Sequence, residues 1–367
     1  MDDAREFVVR EKIADEVGAA ARERSLRVAE EVTAAPRHPT RRMPSEGHLP
    51  VIETHDLRRT FKSRKGEVEA VRGVDLRVEA GRIFGFLGPN GAGKTTTLRM
   101  LATLLPPTAG EATVAGADLR REPEKVRERI GYVPQGGSTD SAETGRRELV
   151  LQSRLYGMNR TDAEGRAREV LAALDLDSAA DRPTGTYSGG MRRRLDIGLG
   201  IVHRPRVLFL DEPTTGLDPQ ARARMWDEIR KLQADGTTVF LTTHYLEEAD
   251  ALADRLAIID QGRIVAEGTA DELKRQVAGD VVTLGVDGAA DTVLATVRSQ
   301  PFVREASADD GSVRLYVDRG EAAIPLLIRL LDAAGLSPST ITLARPSLDD
   351  VFLRQTGRSL REEPQAA

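Results

Sequence analysis

Eight residues, Gly88-Pro-Asn-Gly-Ala-Gly-Lys-Thr95, stand directly after the apolar run Ile83 to Leu87 and directly before a helical pattern carrying Leu98, Met100 and Leu101. A five-residue apolar run suits a strand buried on both faces of a parallel sheet. Glycines let the backbone turn its N–H groups inward around an anion, at φ values other residues avoid. The helix that follows offers unsatisfied N–H groups and its positive end to the same anion. Lys94 adds a full charge for β and γ phosphates, and the Thr95 hydroxyl is placed to ligate Mg²⁺. The expected nucleotide cradle is therefore Gly88, Pro89, Asn90, Gly91, Ala92, Gly93, Lys94, Thr95 and Thr96. An ordinary glycine-rich turn is the competing reading, and the strand-loop-helix context argues against it.

Composition narrows the chemistry. The 367 residues contain no cysteine, which excludes disulfides, thiolate zinc sites, iron–sulfur clusters and a cysteine nucleophile. Hydroxyls, carboxylates, amides, His and Lys remain. A net charge of -5 argues against a global electrostatic nucleic-acid binder. The apolar runs fall far short of the roughly 18 to 20 residues a membrane span needs. The first residues are acidic, without a basic-then-apolar leader, so no export signal is expected and the reading is a soluble, intracellular protein.

A second buried strand, Val207 to Leu210, runs into Asp211 and Glu212. Acids are costly to bury unless a cation or hydrogen bonds offset the charge, and open α/β sheets bind ligands at the C-terminal strand ends. Asp211 suits a Mg²⁺ shell, and Glu212 suits polarising the water that attacks the γ-phosphate. Neighbouring residues on a strand point to opposite sides, which predicts the division of labour. His244 follows the strand Val239 to Thr243 and is expected within reach of a phosphate bound across the sheet. Gln135 closes Tyr132-Val-Pro-Gln135, where its amide oxygen reaches either the metal or the attacking water. His38, His48, His55 and His203 lack such context and read as structural or solvent-facing.

Tyr187-Ser-Gly-Gly-Met191 precedes a helix carrying Leu195, Ile197, Leu199 and Ile201. Ser188 is a natural N-cap, and Gly189 and Gly190 let an anion approach the helix end. Taken alone it is better explained as a capped helix start. Arg192, Arg193 and Arg194 read as a solvated helix face, with a basic patch as the alternative.

Strand followed by helix, repeated, predicts an α/β fold with a mostly parallel sheet covered on both faces. Val74, Leu76 and Val78 alternate as on a half-buried strand. Thr238 to Thr242 and Leu256 to Ile259 add buried strands; Thr95 to Leu105, Ala221 to Gln233 and Leu246 to Ala253 add helices. Residues 1–48 read as a charged extension of marginal helicity, closing with Pro36, Pro39 and Pro44, with Pro50 just beyond. The nucleotide domain is expected over 49–278, with a helical subdomain over about 138–200. A small α+β domain follows over 279–356, with strands at Val281 to Val286, Val313 to Val317 and Ile341 to Ala344 and a helix at Ala322 to Ala334. Residues 357–367 read as a flexible tail.

The assembled set resembles the ATP-binding subunit of ATP-binding-cassette (ABC) transporters over about residues 51–278. Gly88 to Thr95 is similar to the Walker A loop, Gln135 to the Q-loop, Ser188-Gly-Gly-Met191 to the signature, Leu208 to Glu212 to Walker B, Gly216-Leu-Asp218 to the D-loop, and His244 to the switch histidine. Phe61 falls where the family places an aromatic that stacks on adenine. The resemblance implies a P-loop ATPase fold with an added antiparallel β-subdomain, using ATP and Mg²⁺. It implies catalytic roles for Glu212, His244 and Gln135, metal contacts from Thr95, Gln135 and Asp211, and nucleotide contacts from the cradle, Phe61, Ser188, Gly189, Gly190 and Asp218. It also implies a head-to-tail pair of such subunits, each signature helix completing the site on the opposite Walker A, with a homodimer as the simpler case. Pro346-Ser-Leu-Asp-Asp-Val-Phe-Leu353, with Tyr187, resembles the daunorubicin-resistance type of drug-efflux ATPase, whose C-terminal domain is regarded as an assembly or regulatory module. That branch implies a separately encoded integral membrane permease, export of a drug, antibiotic or other hydrophobic compound, and a peripheral place on the cytoplasmic face of the membrane. The alternative is a soluble ABC-type ATPase working on ribosomes or DNA; one cassette, no long heptads and no cysteine argue against it, and no nucleic-acid partner is expected.

Overall fold

The computed structural model describes residues 50–63, 66–277, 279–286, 290–309 and 311–357. The expected N-terminal extension over 1–48 and the tail beyond 357 lie outside the described residues. The chain divides into two compact units, one ending at Ile264 and the other starting at Val265. The limit expected from sequence, at 278/279, falls after the first helix of the second unit.

In the first unit, β1 (Pro50–Ser63), β2 (Gly66–Glu79), β3 (Ile83–Leu87) and α1 (Lys94–Leu101) lead to β4 (Ala109–Val114), β5 (Ala117–Asp118), α2 (Pro123–Arg129) and β6 (Ile130–Val133). The helices α3 (Gly145–Leu155), α4 (Arg160–Ala173) and α5 (Gly189–Ile201) follow. Then come β7 (Val207–Asp211), α6 (Pro219–Ala234), β8 (Thr238–Thr243), α7 (Leu246–Leu252), β9 (Arg255–Asp260) and β10 (Arg263–Gly268), the last of which begins in this unit and ends in the second. One sheet has the order β10-β9-β3-β8-β7-β6, with β9, β3, β8, β7 and β6 paired in parallel. A second, β2-β1-β4-β5, is antiparallel. The expected mixed architecture is present.

Alternation along the central strands separates two cores. Phe84, Phe86, Phe209 and Phe240 face α1 and the antiparallel sheet, with Phe84 and Phe240 stacked at 5.5 Å. Ile83, Leu208, Leu210, Val239 and Leu241 face the other way, onto Ile197 and Ile201 of α5 and Met225 and Ile229 of α6. Successive strand residues point to opposite faces, so one apolar run serves both layers. Between β6 and β7 the named elements are helical, packed around Leu149, Val170, Leu171, Leu195 and Leu199. Helix α1 stops at Leu101, short of the expected Leu105. Thr103 turns left-handed at φ 61, and Pro106 and Pro107 follow, which disfavours continued helix.

The second unit contains α8 (Ala270–Gln276), β11 (Asp280–Gly285), α9 (Ala290–Val297), β12 (Val303–Asp309), β13 (Ser312–Val317), α10 (Gly320–Ala333), β14 (Thr340–Ala344) and α11 (Leu348–Thr356). Its antiparallel sheet has the order β12-β13-β11-β14. Val282, Leu284, Val313 and Leu315 pack on Val293 and Val297 of α9 and on Leu327 and Leu331 of α10. Strand β12 carries Arg304, Glu305 and Ser307 and shows no clean apolar alternation, which hides it from a periodicity reading. Helix α11 begins with a reciprocal capping box between Ser347 and Asp350, and the Tyr316 hydroxyl donates to Asp350 Oδ1 at 2.9 Å. The Pro346 to Leu353 motif is thus a helix start pinned to β13.

Candidate functional site

The loop between β3 and α1 wraps as its glycines predict. Gly91 and Gly93 take φ 78 and 106, and a Cβ on Gly93 would lie 2.5 Å from the Ala70 carbonyl oxygen. A Cβ on Gly88 would lie 2.3 Å from the carbonyl oxygen of Ile259. Backbone packed against Gly88 and Gly93 therefore leaves room for no side chain at either position. Lys94 is buried at the helix start, and its Nζ donates to the Gly88 and Pro89 carbonyls at 2.7 and 3.0 Å. Its charge is held in the middle of the loop.

Thr95 reaches β7: its hydroxyl donates to Asp211 Oδ1 at 3.0 Å, and Thr242 donates to the same oxygen at 2.7 Å. Asp211 Oδ2 is buried with no hydrogen-bond partner among the described residues. Buried carboxylate oxygens are costly when unpaired, and this one sits on the carboxylate that Thr95 touches. Hydroxyl and carboxylate oxygens are the donors a hard divalent cation takes, so the pair fits Mg²⁺.

Glu212 points elsewhere, for a reason other than strand alternation. Strand β7 ends at Asp211, and Glu212 adopts a left-handed φ of 46 while its N–H donates to the Thr242 hydroxyl at 3.0 Å. A non-glycine residue there stores strain, which clusters at functional sites. Its carboxylate gathers four neighbours. Gln135 Nε2 donates to Oε2 at 2.8 Å and the Thr215 hydroxyl at 3.1 Å; His244 Nδ1 lies 3.2 Å from Oε2, and Lys94 Nζ 3.6 Å from Oε1. Burial alone would raise the carboxyl pKa, but His244 and Lys94 outweigh it and hold Glu212 below the ordinary glutamate value. The structure thus brings Lys94, Gln135, Glu212 and His244 to one point, next to Thr95 and Asp211. It sets the Gln135 amide nitrogen, rather than the expected oxygen, towards the cluster.

Ser188, Gly189, Gly190 and Asp218 are assembled somewhere else. Ser188 caps α5, accepting from the Met191 N–H at 3.3 Å, and Asp218 caps α6, accepting from Ala221 N–H at 2.8 Å. Both line a cavity of about 250 Å³ with Gly189, Gly190, Gly216 and Arg224. None of Gly88 to Thr96 lines it. Phe61 is half-exposed near the end of the β1–β2 ribbon, opposite Val68, with the Arg59 guanidinium 4.7 Å from its ring centre.

Two groups escaped sequence reasoning. Arg193, expected on a solvated face, is 7% exposed and turned into the protein; Arg192 alone of the three arginines is exposed. Glu248 of α7 is fully buried, its Oε1 accepting from Thr214 at 2.7 Å and from the Trp226 indole at 3.2 Å. Burial raises its pKa despite those bonds. A buried acid two residues into an amphipathic helix carries no local signal that distinguishes it from a surface one. Among the other histidines, His55 is exposed. His203 is structural, stacked on Tyr156 at 3.7 Å with Nε2 2.8 Å from the Ile130 carbonyl oxygen, and burial lowers its pKa to about 4. His38 and His48 lie outside the described residues.

Comparison with known proteins agrees with this geometry. Residues 71–215 match the ABC transporter family model, and 268–356 match the C-terminal domain of DrrA1-3-like ATP-binding proteins. The chain is 47% identical over 300 residues to the daunorubicin resistance ATP-binding protein DrrA2 of Streptomyces coeruleorubidus, covering 81% of this chain and 93% of the relative. It is 40% identical over 309 residues to a Nod factor export ATP-binding protein I of Burkholderia lata, covering 83% and 97%. Among solved structures, a dimeric ATP-binding cassette in a post-hydrolysis state bound to ADP and Pi matches with a TM-score of 0.55 at 25% identity, over 59% of this chain and 98% of that one. An ATP-binding subunit of an ABC transporter matches with a TM-score of 0.55 at 28% identity, over 62% and 92%. The chain therefore belongs to the ATP-binding subunits of ABC transporters, alongside the daunorubicin-resistance ATP-binding proteins.

Proposed function

We propose that the chain hydrolyses ATP at a site shared by two copies of itself and so powers export of a drug, antibiotic or other hydrophobic compound through a separate membrane subunit. The observation that carries the shared site is the separation within one chain. The Lys94, Thr95, Asp211 and Glu212 cluster and the Ser188–Asp218 cavity are two phosphate-type sites with no common lining residue. A capped helix end without a lysine is half a phosphate site, and a second copy facing it would supply the other half. The dimeric cassette among the similar structures supports that arrangement.

In this reading the loop N–H groups and Lys94 hold the β and γ phosphates. Thr95 and Asp211 hold Mg²⁺, with Gln135 within the family's metal set; when bound, the ion screens the phosphate charge that builds up during transfer. Glu212 accepts a proton from the attacking water, and His244 and Gln135 orient it and the γ-phosphate. The carboxylate is held ionised by His244 and Lys94, as a base requires. Phe61 stacks on the adenine, and Ser188, Gly189, Gly190 and Asp218 of the second copy close on the phosphates. ATP joins the copies from both sides, and hydrolysis removes the bridging charge.

Export is read from the names of the relatives, which include resistance and export proteins. Transport needs a membrane-spanning element, and no helix among the described residues is long and apolar enough to be one. This supports a permease partner and a peripheral place on the cytoplasmic face. Two experiments test the proposal. Ser188→Arg is expected to abolish ATP-dependent dimerisation seen by light scattering, and an undiminished dimer refutes the shared site. Copurification from detergent-solubilised membranes, read by mass spectrometry, is expected to return a multi-spanning protein; recovery of ribosomes or DNA instead would favour the soluble ATPase.

A further inference from the structure

Among the described residues Arg193 has no carboxylate partner within hydrogen-bond reach; its guanidinium is spent on main-chain carbonyls. Nε donates to Pro213 O at 2.9 Å, Nη1 to Pro134 O at 2.6 Å, and Nη2 to Asp211 O at 3.0 Å and Glu212 O at 3.3 Å. A planar fork of five donors is well suited to hold carbonyls from two loops at once. Burying such a charge is costly, and burial pushes its pKa down while the fields of Asp196 and Asp211 push it up. One turn later on the same helix, Asp196 Oδ1 accepts from Ser138 N–H at 2.8 Å and from its hydroxyl at 3.2 Å. Helix α5 therefore grips the chain on both sides of Gln135, at Pro134 and Ser138, and grips the carbonyls flanking and including Glu212. The two gripped side chains meet at 2.8 Å. The strained φ of Glu212 is the conformation those carbonyl contacts hold.

We propose that Arg193 is a positioning residue for ATP hydrolysis, which ties Glu212 and Gln135 to α5 and hence to the helix end capped by Ser188. The second clause rests on the shared-site reading given above; the first stands without it. A rigid helix carries a displacement at its phosphate-facing end to the guanidinium within two turns, and the acceptors of that guanidinium all belong to the catalytic loops. Small misplacements of a base reduce turnover by about 10²-fold, while nucleotide affinity resides in the loop around Lys94.

The test uses the full chain. Arg193→Gln is expected to lower kcat by about tenfold or more while KM and equilibrium ATP affinity stay within about twofold. Arg193→Lys, which keeps charge and length but not the fork, is expected to fall between the two. In a Glu212→Gln background, single-turnover hydrolysis is expected to show no further loss on adding Arg193→Gln, because a residue acting through Glu212 has nothing left to position. Turnover within twofold of the parent, an equal loss in both backgrounds, or failure of both Arg193 variants to melt cooperatively would overturn the proposal. ATP-dependent dimerisation of the Glu212→Gln chain is the separate control: its absence refutes the shared site, whatever Arg193 does.

Discussion

Lys94 Nζ and Glu212 Oε1 lie 3.6 Å apart with both side chains more than nine-tenths buried, so the cation of the phosphate loop also neutralises the strand-end acid. One interaction thus joins the half of the site proposed to bind phosphate to the half proposed to hydrolyse it.

Removing the acid charge separates those halves. Glu212→Gln keeps the shape of the side chain and an oxygen to accept from Gln135 and Thr215, but cannot take a proton. ATP binding is expected to persist while steady-state ATPase falls by about 10²- to 10⁴-fold, the usual weight of a general base. A phosphate-release assay beside a fluorescent-nucleotide titration measures both, and near-normal turnover would remove Glu212 from its role.

The same pair gives a pH dependence. Glu212 is held below the ordinary glutamate value in the folded chain, because His244 and Lys94 outweigh burial. Its contribution to stability is therefore full above the unfolded value and is lost as pH falls through the lower folded value. Urea denaturation of the parent and of Glu212→Gln should show a stability gap that narrows as pH drops below the unfolded glutamate value. A gap that widens would reverse the sign.

Lys94→Ala strips the loop of its charge and leaves Glu212 buried with Gln135, Thr215 and His244. Nucleotide affinity is expected to fall by about tenfold or more, from loss of a charge-assisted phosphate contact. Isothermal titration with a non-hydrolysable ATP analogue reads this directly. An unchanged affinity would show that the loop N–H groups suffice.

Gly93→Ala probes the backbone of the cradle. The added Cβ meets the Ala70 carbonyl oxygen at 2.5 Å, and the residue must hold φ 106. A loss of about 1 to 3 kcal/mol in chemical denaturation, together with weakened nucleotide binding, is expected from strain of this kind. A methyl group added at Gly91 would meet open space, so Gly91→Ala should cost less.

In the second unit, Asp350→Ala removes the capping box of α11 and the acceptor of the Tyr316 hydroxyl. Together these losses are expected to destabilise the unit by about 2 to 3 kcal/mol, summing a cap and a buried hydrogen bond. Differential scanning calorimetry should place the drop in the transition of that unit, and a shift confined to the first unit would contradict the assignment.

Much of this was legible from residues close in sequence. The strand, glycines, lysine and threonine of the cradle lie within thirteen positions, Ile83 to Thr95, and each acts through a local rule of φ freedom, helix polarity or charge. Ser188 and Asp218 cap their helices as their identities predict. Strand β12 stayed hidden because Arg304, Glu305 and Ser307 interrupt its apolar residues and a register shift falls between Val303 and Glu305, leaving no period to read.

Other features depend on distance along the chain. Gln135 and Glu212 are 77 positions apart, and only the parallel pairing of β6 with β7 brings their ends together. Arg193 could not be told from Arg192 by composition, since both follow the same two glycines; the difference is about 100° of helix rotation, which turns one guanidinium towards solvent and the other onto the carbonyls of Asp211 to Pro213. Sequence determined which groups suit a phosphate-binding loop, because backbone freedom and charge are properties of the residues themselves. Tertiary structure decided where Glu212 points, what Arg193 holds and that Ser188 stands apart from Lys94, because those follow from strand order and packing.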